Sequence, residues 1–412
     1  MPEEKNNIDR RNFLKTIAAA GAGSAFISGK LLAEQKDPNV ADPNAVKEPE
    51  IPPIPLRKFG KYDFKIPCFS LGVMFNALDQ QAVLRKALQL GVYFWDCAYN
   101  YANGNAELGI GKILEKQPEL RKKLFITSKT RGTPEELEKC LHESFERMNI
   151  DYIDLYYMHG VGRVGQLSDD MRKWAEGAKK RKHIKYFGFT THANADCLVA
   201  AAKTDWIDAI MTSYNYHIMQ DTEMQEAVQA CHEKGIALIA MKTQAKRVRE
   251  QTDKEKELIE YFTKKGFAEG QAKVKAVLED KRFCSACVGV GRGNIEHLVL
   301  NVDAVLDKRQ LDKKDLAFLA DFANKNCDGY CPGCENICSA AVPDMPYVAE
   351  VMRYLMYYNS YGDHNMARDL YAKLPARAKR RMLAVDYSLA EARCPHHLPI
   401  GKLVAEAVTK LA

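Results

Sequence analysis

The sequence predicts an α/β protein: a closed (β/α)8 barrel of the TIM type, followed by a helical, cysteine-rich C-terminal extension. Three observations predict it. Eight short apolar runs alternate with longer helical patterns from about residue 66 to about residue 290, a count that closes a parallel barrel. No G-x-G-x-x-G opens a helix after the first run, which argues against an open doubly wound sheet. Five of the 12 cysteines fall in the last 86 residues of a chain of 412.

The eight runs are Ile66 to Met74, Val92 to Ala98, Leu124 to Ser128, Ile153 to Met158, Tyr186 to Thr190, Ala209 to Tyr214, Ala237 to Met241 and Ser285 to Val290. Most lie about 25 to 35 residues apart, enough for one strand, one helix and two short loops. The seventh gap is longer, and its charged segment, Arg247 to Lys265, predicts an inserted helix or a long loop. With 46% hydrophobic and 28% charged residues the chain reads as folded, not disordered. Its excess of six basic residues, 60 against 54, is too small and scattered to make nucleic acid a partner.

Before the barrel, Asp9-Arg10-Arg11-Asn12-Phe13-Leu14-Lys15 leads into a weakly apolar Ala- and Gly-rich stretch ending at Ser28. This resembles a twin-arginine signal peptide, and implies export of the folded protein by the twin-arginine translocase to the periplasm or beyond. The competing reading is an amphipathic N-terminal helix. The expected organisation is residues 1–33 signal, 34–55 linker, 56–305 barrel and 306–412 tail.

Catalytic groups in such a barrel stand where strands end at the C-terminal face. Here those groups are Asp96 and Tyr101 after the second run, Lys129 after the third and His159 after the fourth. Neighbouring strands are about 4.8 Å apart, so the four side chains meet over one small site. Together they suit protonation of a carbonyl oxygen as hydride reaches its carbon. A phenol with an ordinary pKa of about 10 is a weak acid, and an adjacent ammonium is expected to lower it. Asp96 would hold Lys129 charged, and His159 would orient the carbonyl or relay the proton. Taken singly, Tyr101 reads as a tyrosine packing the barrel rim and His159 as a satisfied strand-end histidine.

The run Trp95-Asp96-Cys97-Ala98-Tyr99-Asn100-Tyr101, then Gly104 with Glu107-Leu108-Gly109, resembles the D-x-A-x-x-Y and G-x-x-E-x-x-x-G patterns of aldo-keto reductases. Thr127-Ser128-Lys129, Asp154 to His159, Gly188 to His192 and Tyr214-Asn215 are similar to later signatures of that family, in the same order. The resemblance spans about residues 55 to 305. It implies a (β/α)8 barrel, a catalytic tetrad of Asp96, Tyr101, Lys129 and His159, and carbonyl reduction or alcohol oxidation with NADP or NAD.

It also implies cofactor-binding positions. Thr190 and Thr191 stand where the family has Ser and Asn on the nicotinamide amide. Tyr214 belongs to the same site, but Met211 stands where a glutamine is expected three residues before it, and Met241 where the aromatic that stacks on the nicotinamide is expected. Lys242 and Arg292 are expected to meet phosphates, with Gly291 and Asn301 in the last cofactor loop. The alternative is that both cations are solvated.

In the tail, Cys327, Cys331, Cys334 and Cys338 run as C-x3-C-x2-C-x3-C, and Cys394 precedes Pro395. Cysteines this close rarely pair as disulfides, so the expectation is one [4Fe-4S] cluster, with a structural zinc as the alternative. The pattern resembles the ferredoxin-like extension of some aldo-keto reductases, reduced to one cluster, since Ala384, Tyr387 and Ala390 replace the second set's cysteines. By that resemblance Cys394 completes the site of Cys327, Cys331 and Cys334, with Cys338 the alternative fourth ligand. The basic run Arg377 to Arg381 is either a dock for an acidic redox partner protein or an exposed helix face. The functional expectation is an exported oxidoreductase acting on a small carbonyl or alcohol. An exported electron-transfer or binding protein with a vestigial tetrad is the alternative.

Overall fold

The computed structural model describes residues 52–245, 253–291, 293–326, 330–333, 337–394 and 396–412. The signal, most of the linker, Arg292, Cys327 and Cys334 lie outside the described residues. Residues from Pro53 to Ala412 form one compact unit.

Each of the eight expected runs overlaps a barrel strand: β3 (Phe69–Gly72), β4 (Phe94–Asp96), β5 (Phe125–Thr130), β6 (Ile153–Met158), β7 (Ile184–Thr191), β8 (Ala209–Ser213), β9 (Ala237–Met241) and β10 (Phe283–Gly289). They pair in parallel in chain order, and β10 closes onto β3 through Ala286 opposite Phe69. The first run splits. Its start, β2 (Lys65–Pro67), pairs antiparallel with β1 (Leu56–Lys58), because Pro67 lacks an amide hydrogen and interrupts the extension into β3. This hairpin plugs one end of the barrel. Phe59, fully buried, packs at 5.0 Å from Tyr186 and 5.8 Å from Phe125, which stand near the starts of their strands.

The bore follows the strand alternation. Phe94, Leu155, Tyr157, Ala209, Met211, Ala237 and Ile239 share one apolar cluster with the plug. The same parity sends Asp96, Lys129 and His159 inward at the opposite, C-terminal end. At Gly188 a Cβ would sit 1.9 Å from the Ala209 carbonyl oxygen, so only glycine allows β7 and β8 to approach there.

The helices wrap the barrel: α1 (Gln81–Gln89), α2 (Asn105–Lys116), α3 (Pro134–Met148), α4 (Asp169–Lys180), α5 (Ala195–Ala202) and α6 (Thr222–Lys234). The charged seventh gap contains α7 (Asp253–Lys264), and α8 (Glu269–Glu279) and α9 (Ile295–Leu306) complete the ring. The tail is helical: α10 (Lys313–Asn326), α11 (Ile337–Ala341), α12 (Val348–Met356), α13 (His364–Ala372), α14 (Ala376–Arg381), α15 (Ser388–Ala392) and α16 (Ile400–Leu411). It has no separate core. Val348, Met352, Leu355, Leu403 and Val404 share one apolar cluster with Tyr216, Ala245, Leu258 and Phe262 from the barrel side.

Residues 330–333, between α10 and α11, reach the barrel mouth. Tyr330 stacks on His217 at 5.3 Å and 5°, Lys242 Nζ donates to the Pro332 carbonyl at 3.4 Å, and a Cβ at Gly333 would lie 3.7 Å from His192. The tail therefore seats on the catalytic face.

Because Phe59 fills the plug against several rings, Phe59→Ala is expected to cost about 3–5 kcal/mol of stability. Urea unfolding followed by circular dichroism measures it, and a loss below about 1 kcal/mol would show that the plug collapses without penalty.

Candidate active site

The site is built around Lys129, which stands one residue before the end of β5 on its inward face and is 1% exposed. Its ammonium donates to Asp96 Oδ1 at 2.7 Å and Oδ2 at 2.8 Å, and to the Cys97 carbonyl at 2.6 Å. Three acceptors meet its three N–H donors. Burial pushes the Lys129 pKa down, but Asp96 and then Tyr101 outweigh it, and the net value rises. The lysine is therefore charged throughout the physiological range. Thr127 Oγ1 donates to Asp96 Oδ1 at 2.6 Å, and the Cys287 thiol lies 3.6 Å from Oδ2.

Tyr101 lies over this pair, its ring centroid 5.0 Å from Lys129 Nζ and 5.9 Å, edge to face, from the His159 ring. Residues 102 and 103 have φ of 49° and 55°, and Gly104 has φ of 89°. This left-handed turn brings Tyr101 back over the mouth before α2 begins. Arg147 on α3 donates to the Tyr99 carbonyl at 2.8 Å and to Glu107 at 3.2 Å. Glu107 is fully buried and also accepts from Ser128 at 2.6 Å and Ser144 at 2.8 Å. The G-x-x-E pattern thus bolts the tyrosine loop to α2, α3 and β5.

The expected lowering of the Tyr101 pKa is not met in this state. Burial raises the phenol and outweighs the opposing pull of Lys129. Tyr101 is thus a neutral hydroxyl with a proton to give, and the ammonium limits the cost of losing it. His159 is held well below its ordinary value by burial and then by Lys129, Arg131 and Arg353, so it is a neutral imidazole, with a buried Nδ1 that has no partner.

The tetrad residues come together; the cofactor-side residues are spread around the rim. Thr190 Oγ1 accepts from the Gly160 amide at 2.8 Å, and Thr191 Oγ1 donates to the Val161 carbonyl at 2.7 Å. Both hydroxyls brace the loop after His159. Tyr214 does not face the mouth: its ring stacks on Phe283 at 4.2 Å and its hydroxyl donates to Asp280 at 2.6 Å. Lys242 reaches toward the tail. Gly291 has φ of 59°, in a turn ahead of α9, and Asn301 accepts from Gln244 at 2.8 Å. Met211 lies in the bore and Met241 packs against it.

Of the tail cysteines, Cys331, Cys338 and Cys394 are described, and each is close enough to affect another's ionisation. Burial raises Cys338, and the other two thiols add to it; Cys331 is raised by burial and by Cys394. The structure therefore gathers both alternatives for the fourth ligand around Cys331. The remaining thiols are free, most of them buried, in the barrel.

The comparisons bear directly on this geometry. The Aldo/keto reductase family model matches residues 70–279, half of the chain. The chain belongs to the aldo/keto reductase family. Among curated relatives it is 29% identical over 211 residues to aldo-keto reductase yakc, named for NADP(+), of Schizosaccharomyces pombe, covering 45% of this chain and 60% of that one. It is also 29% identical over 157 residues to the L-glyceraldehyde 3-phosphate reductase of Escherichia coli, covering 33% and 45% respectively. The chain thus spans about half the length of the curated relatives it matches. The barrel superposes on an aldo-keto reductase from Bacillus halodurans in its holo form, with a TM-score of 0.55 at 19% identity over 65% of this chain and 96% of that one. An NADPH complex from Klebsiella pneumoniae gives 0.55 at 20% identity, over 65% and 94%.

Some residues of this aldo/keto reductase mouth escaped sequence reasoning. For Thr127 a signal existed, since period-two alternation places it two residues before Lys129 on the same inner face. Cys287 becomes a neighbour of Asp96 only through barrel closure, and Arg353 through docking of the tail; neither has a local signal.

The neutral histidines set a pH dependence. Burial, with nearby cations, holds both His159 and His192 well below the ordinary value. The unfolded chain therefore takes up protons below pH about 6.5 that the folded one does not, and stability falls with pH there, by up to ~1.4 kcal/mol per unit per histidine. His159→Asn is expected to flatten the slope between pH 6.5 and 5 by about one proton's worth. Denaturant titrations across that range measure it, and an unchanged slope would remove His159 from the account.

Proposed function

We propose that this chain is an exported oxidoreductase of aldo-keto reductase type. It reduces a small carbonyl, or oxidises the corresponding alcohol, by hydride transfer with NADP(H), and it carries one [4Fe-4S] cluster in its tail. The observation that carries the reading is the convergence of Tyr101, Lys129, Asp96 and His159 at the C-terminal mouth, with Lys129 bonded to both oxygens of Asp96.

The chemistry follows from the protonation states. A carbonyl oxygen entering between Tyr101 and His159 meets two neutral polar groups. His159 orients the oxygen, and the Tyr101 hydroxyl gives it a proton as negative charge develops there. The phenolate left behind is stabilised by the Lys129 ammonium, which Asp96 keeps charged and aimed. In the oxidative direction the same atoms take the proton back.

NADP(H), when bound, supplies or accepts the hydride. The residues fit its phosphate end: Gly291 and Gly293, both at positive φ, stand ahead of α9 at the C-terminal face, where barrels of this kind hold phosphate. Gly291, Asn301, Lys242 and, outside the described residues, Arg292 are the proposed contacts there, with Thr190 and Thr191 on β7 proposed for the nicotinamide; Tyr214, turned to Phe283 and Asp280, is not among them. The names of the relatives, yakc with NADP(+) and the NADPH complex, favour NADP(H) over NAD(H).

The run C-x3-C-x2-C-x3-C with Cys394 ahead of Pro395 suits a cluster held by thiolates. Cys327, Cys331, Cys334 and Cys394 are the proposed ligands, with Cys338 in reach. Such a cluster would exchange single electrons with an outside redox partner protein, for which the exposed basic residues of α14 offer a dock. Export by the twin-arginine translocase to the periplasm makes such a link useful, because nicotinamide pools are cytoplasmic.

A second reading, an exported electron-transfer or binding protein with a vestigial tetrad, draws on the Thr190 and Thr191 hydroxyls being committed to the backbone and on the tail seated over His192. Tyr101→Phe separates the two: carbonyl reduction with NADPH should fall about 10²–10⁴-fold with the fold intact by circular dichroism. Unchanged turnover of every reducible substrate would favour the second reading.

The cluster assignment is read by absorption of protein purified without oxygen. Cys394→Ser should abolish the visible charge-transfer bands, whereas Cys338→Ser should leave them; the reverse pattern would make Cys338 the fourth ligand.

A further inference from the structure

The outer wall of the barrel holds a side-chain cluster that the proposed reaction does not use. Glu138 and His142 stand one turn apart on α3, and His183 lies between α4 and β7. One ligand atom from each comes within 4.8 Å of the other two, the one such group among the described residues. His142 Nε2 is 3.2 Å from Glu138 Oε1.

The surroundings hold these groups in place. The two imidazoles meet edge to face at 5.2 Å, and Phe145 packs edge to face against both, at 5.7 Å and 5.6 Å. Glu138 Oε2 accepts from Trp174 Nε1 and from Arg181 Nη2, each at 2.7 Å, which fixes the carboxylate and leaves Oε1 toward the histidine. Outer hydrogen bonds of this kind are what orient a metal-binding carboxylate. The His183 Nδ1 is buried without a hydrogen-bond partner.

We propose that Glu138, His142 and His183 form a zinc site, two imidazoles and one carboxylate, with a fourth position open to water. The donor set decides the metal class: imidazole nitrogen selects zinc-like ions over calcium or magnesium, which take oxygen. Two ligands four residues apart on one helix face, joined by a third from another element, is a spacing zinc sites use. The ligand atoms must draw in to about 3.3 Å from one another, the separation set by tetrahedral bonds of about 2.0 Å, which side-chain rotation on a surface supplies. Arg181 offsets part of the carboxylate charge, so the imidazoles carry most of the affinity. The bound ion would tie α3 to the loop that enters β7, on the barrel wall and not in its mouth.

The test is calorimetric titration of Zn²⁺ into the full chain and into His142→Gln and His142→Ala/His183→Ala variants. The difference between wild type and double variant separates this site from the tail thiols. Wild type should bind one ion more than the double variant, and His142→Gln, at an exposed position, should weaken that ion at least tenfold. Zinc should also change Trp174 emission in wild type and not in the double variant, because the indole N–H is bonded to a ligand. Equal zinc stoichiometry and affinity in wild type and His142→Gln would overturn the proposal.

Discussion

The buried contact between Lys129 and Asp96 is the constraint on which the rest of the mouth depends. A lysine ammonium taken out of water costs several kcal/mol unless every donor is met and an opposite charge stands close. Here both oxygens of Asp96 and the Cys97 carbonyl meet it, and Thr127 fixes the carboxylate in turn. Those partners come from β4, β5 and the loop after β4, so the pair forms only if the strands are in register, as Asp96 opposite Thr127 records. What looks like a catalytic device is therefore also a register lock.

Around that lock the histidines are kept neutral and the tyrosine protonated, and the cause is shared. Burial disfavours any new charge, and the cations already present disfavour a further positive one on His159 and His192. Burial also lifts the Tyr101 phenol, against the pull of Lys129. The tail contributes to this field, since Arg353 on α12 acts on both histidines. Seated over the mouth through Tyr330, Pro332 and Gly333, the tail forms part of the site's environment.

Much of this was legible in the sequence, for identifiable reasons. Eight apolar runs bounded by helical patterns reflect strands buried on both faces, and period-two alternation orients Asp96, Lys129 and His159 at strand ends. Alternation also explains Tyr214. Ser213, one residue earlier, bonds toward His192 at the mouth, so Tyr214 must turn away, and it stacks on Phe283. Other features were not local. The hairpin plug was hidden inside the first run, because Pro67 ends one strand where the apolar pattern continues. The docking of the tail depends on α10 meeting α7, where Phe318 stacks on Tyr261 at 4.2 Å, and no pattern within either segment names the other. The phenol's ionisation depends on how deeply it is buried, which spacing does not encode.

The central claim is that a charged Lys129, held by Asp96, makes the Tyr101 hydroxyl a usable proton donor. It is tested most directly by single-turnover carbonyl reduction in a double variant, Asp96→Asn with Lys129→Met, which removes both charges and leaves no buried ion unpaired. The account predicts a chemical step slowed by at least about 10²-fold, with substrate binding retained and the fold intact. A chemical step at the wild-type rate in that variant would contradict it.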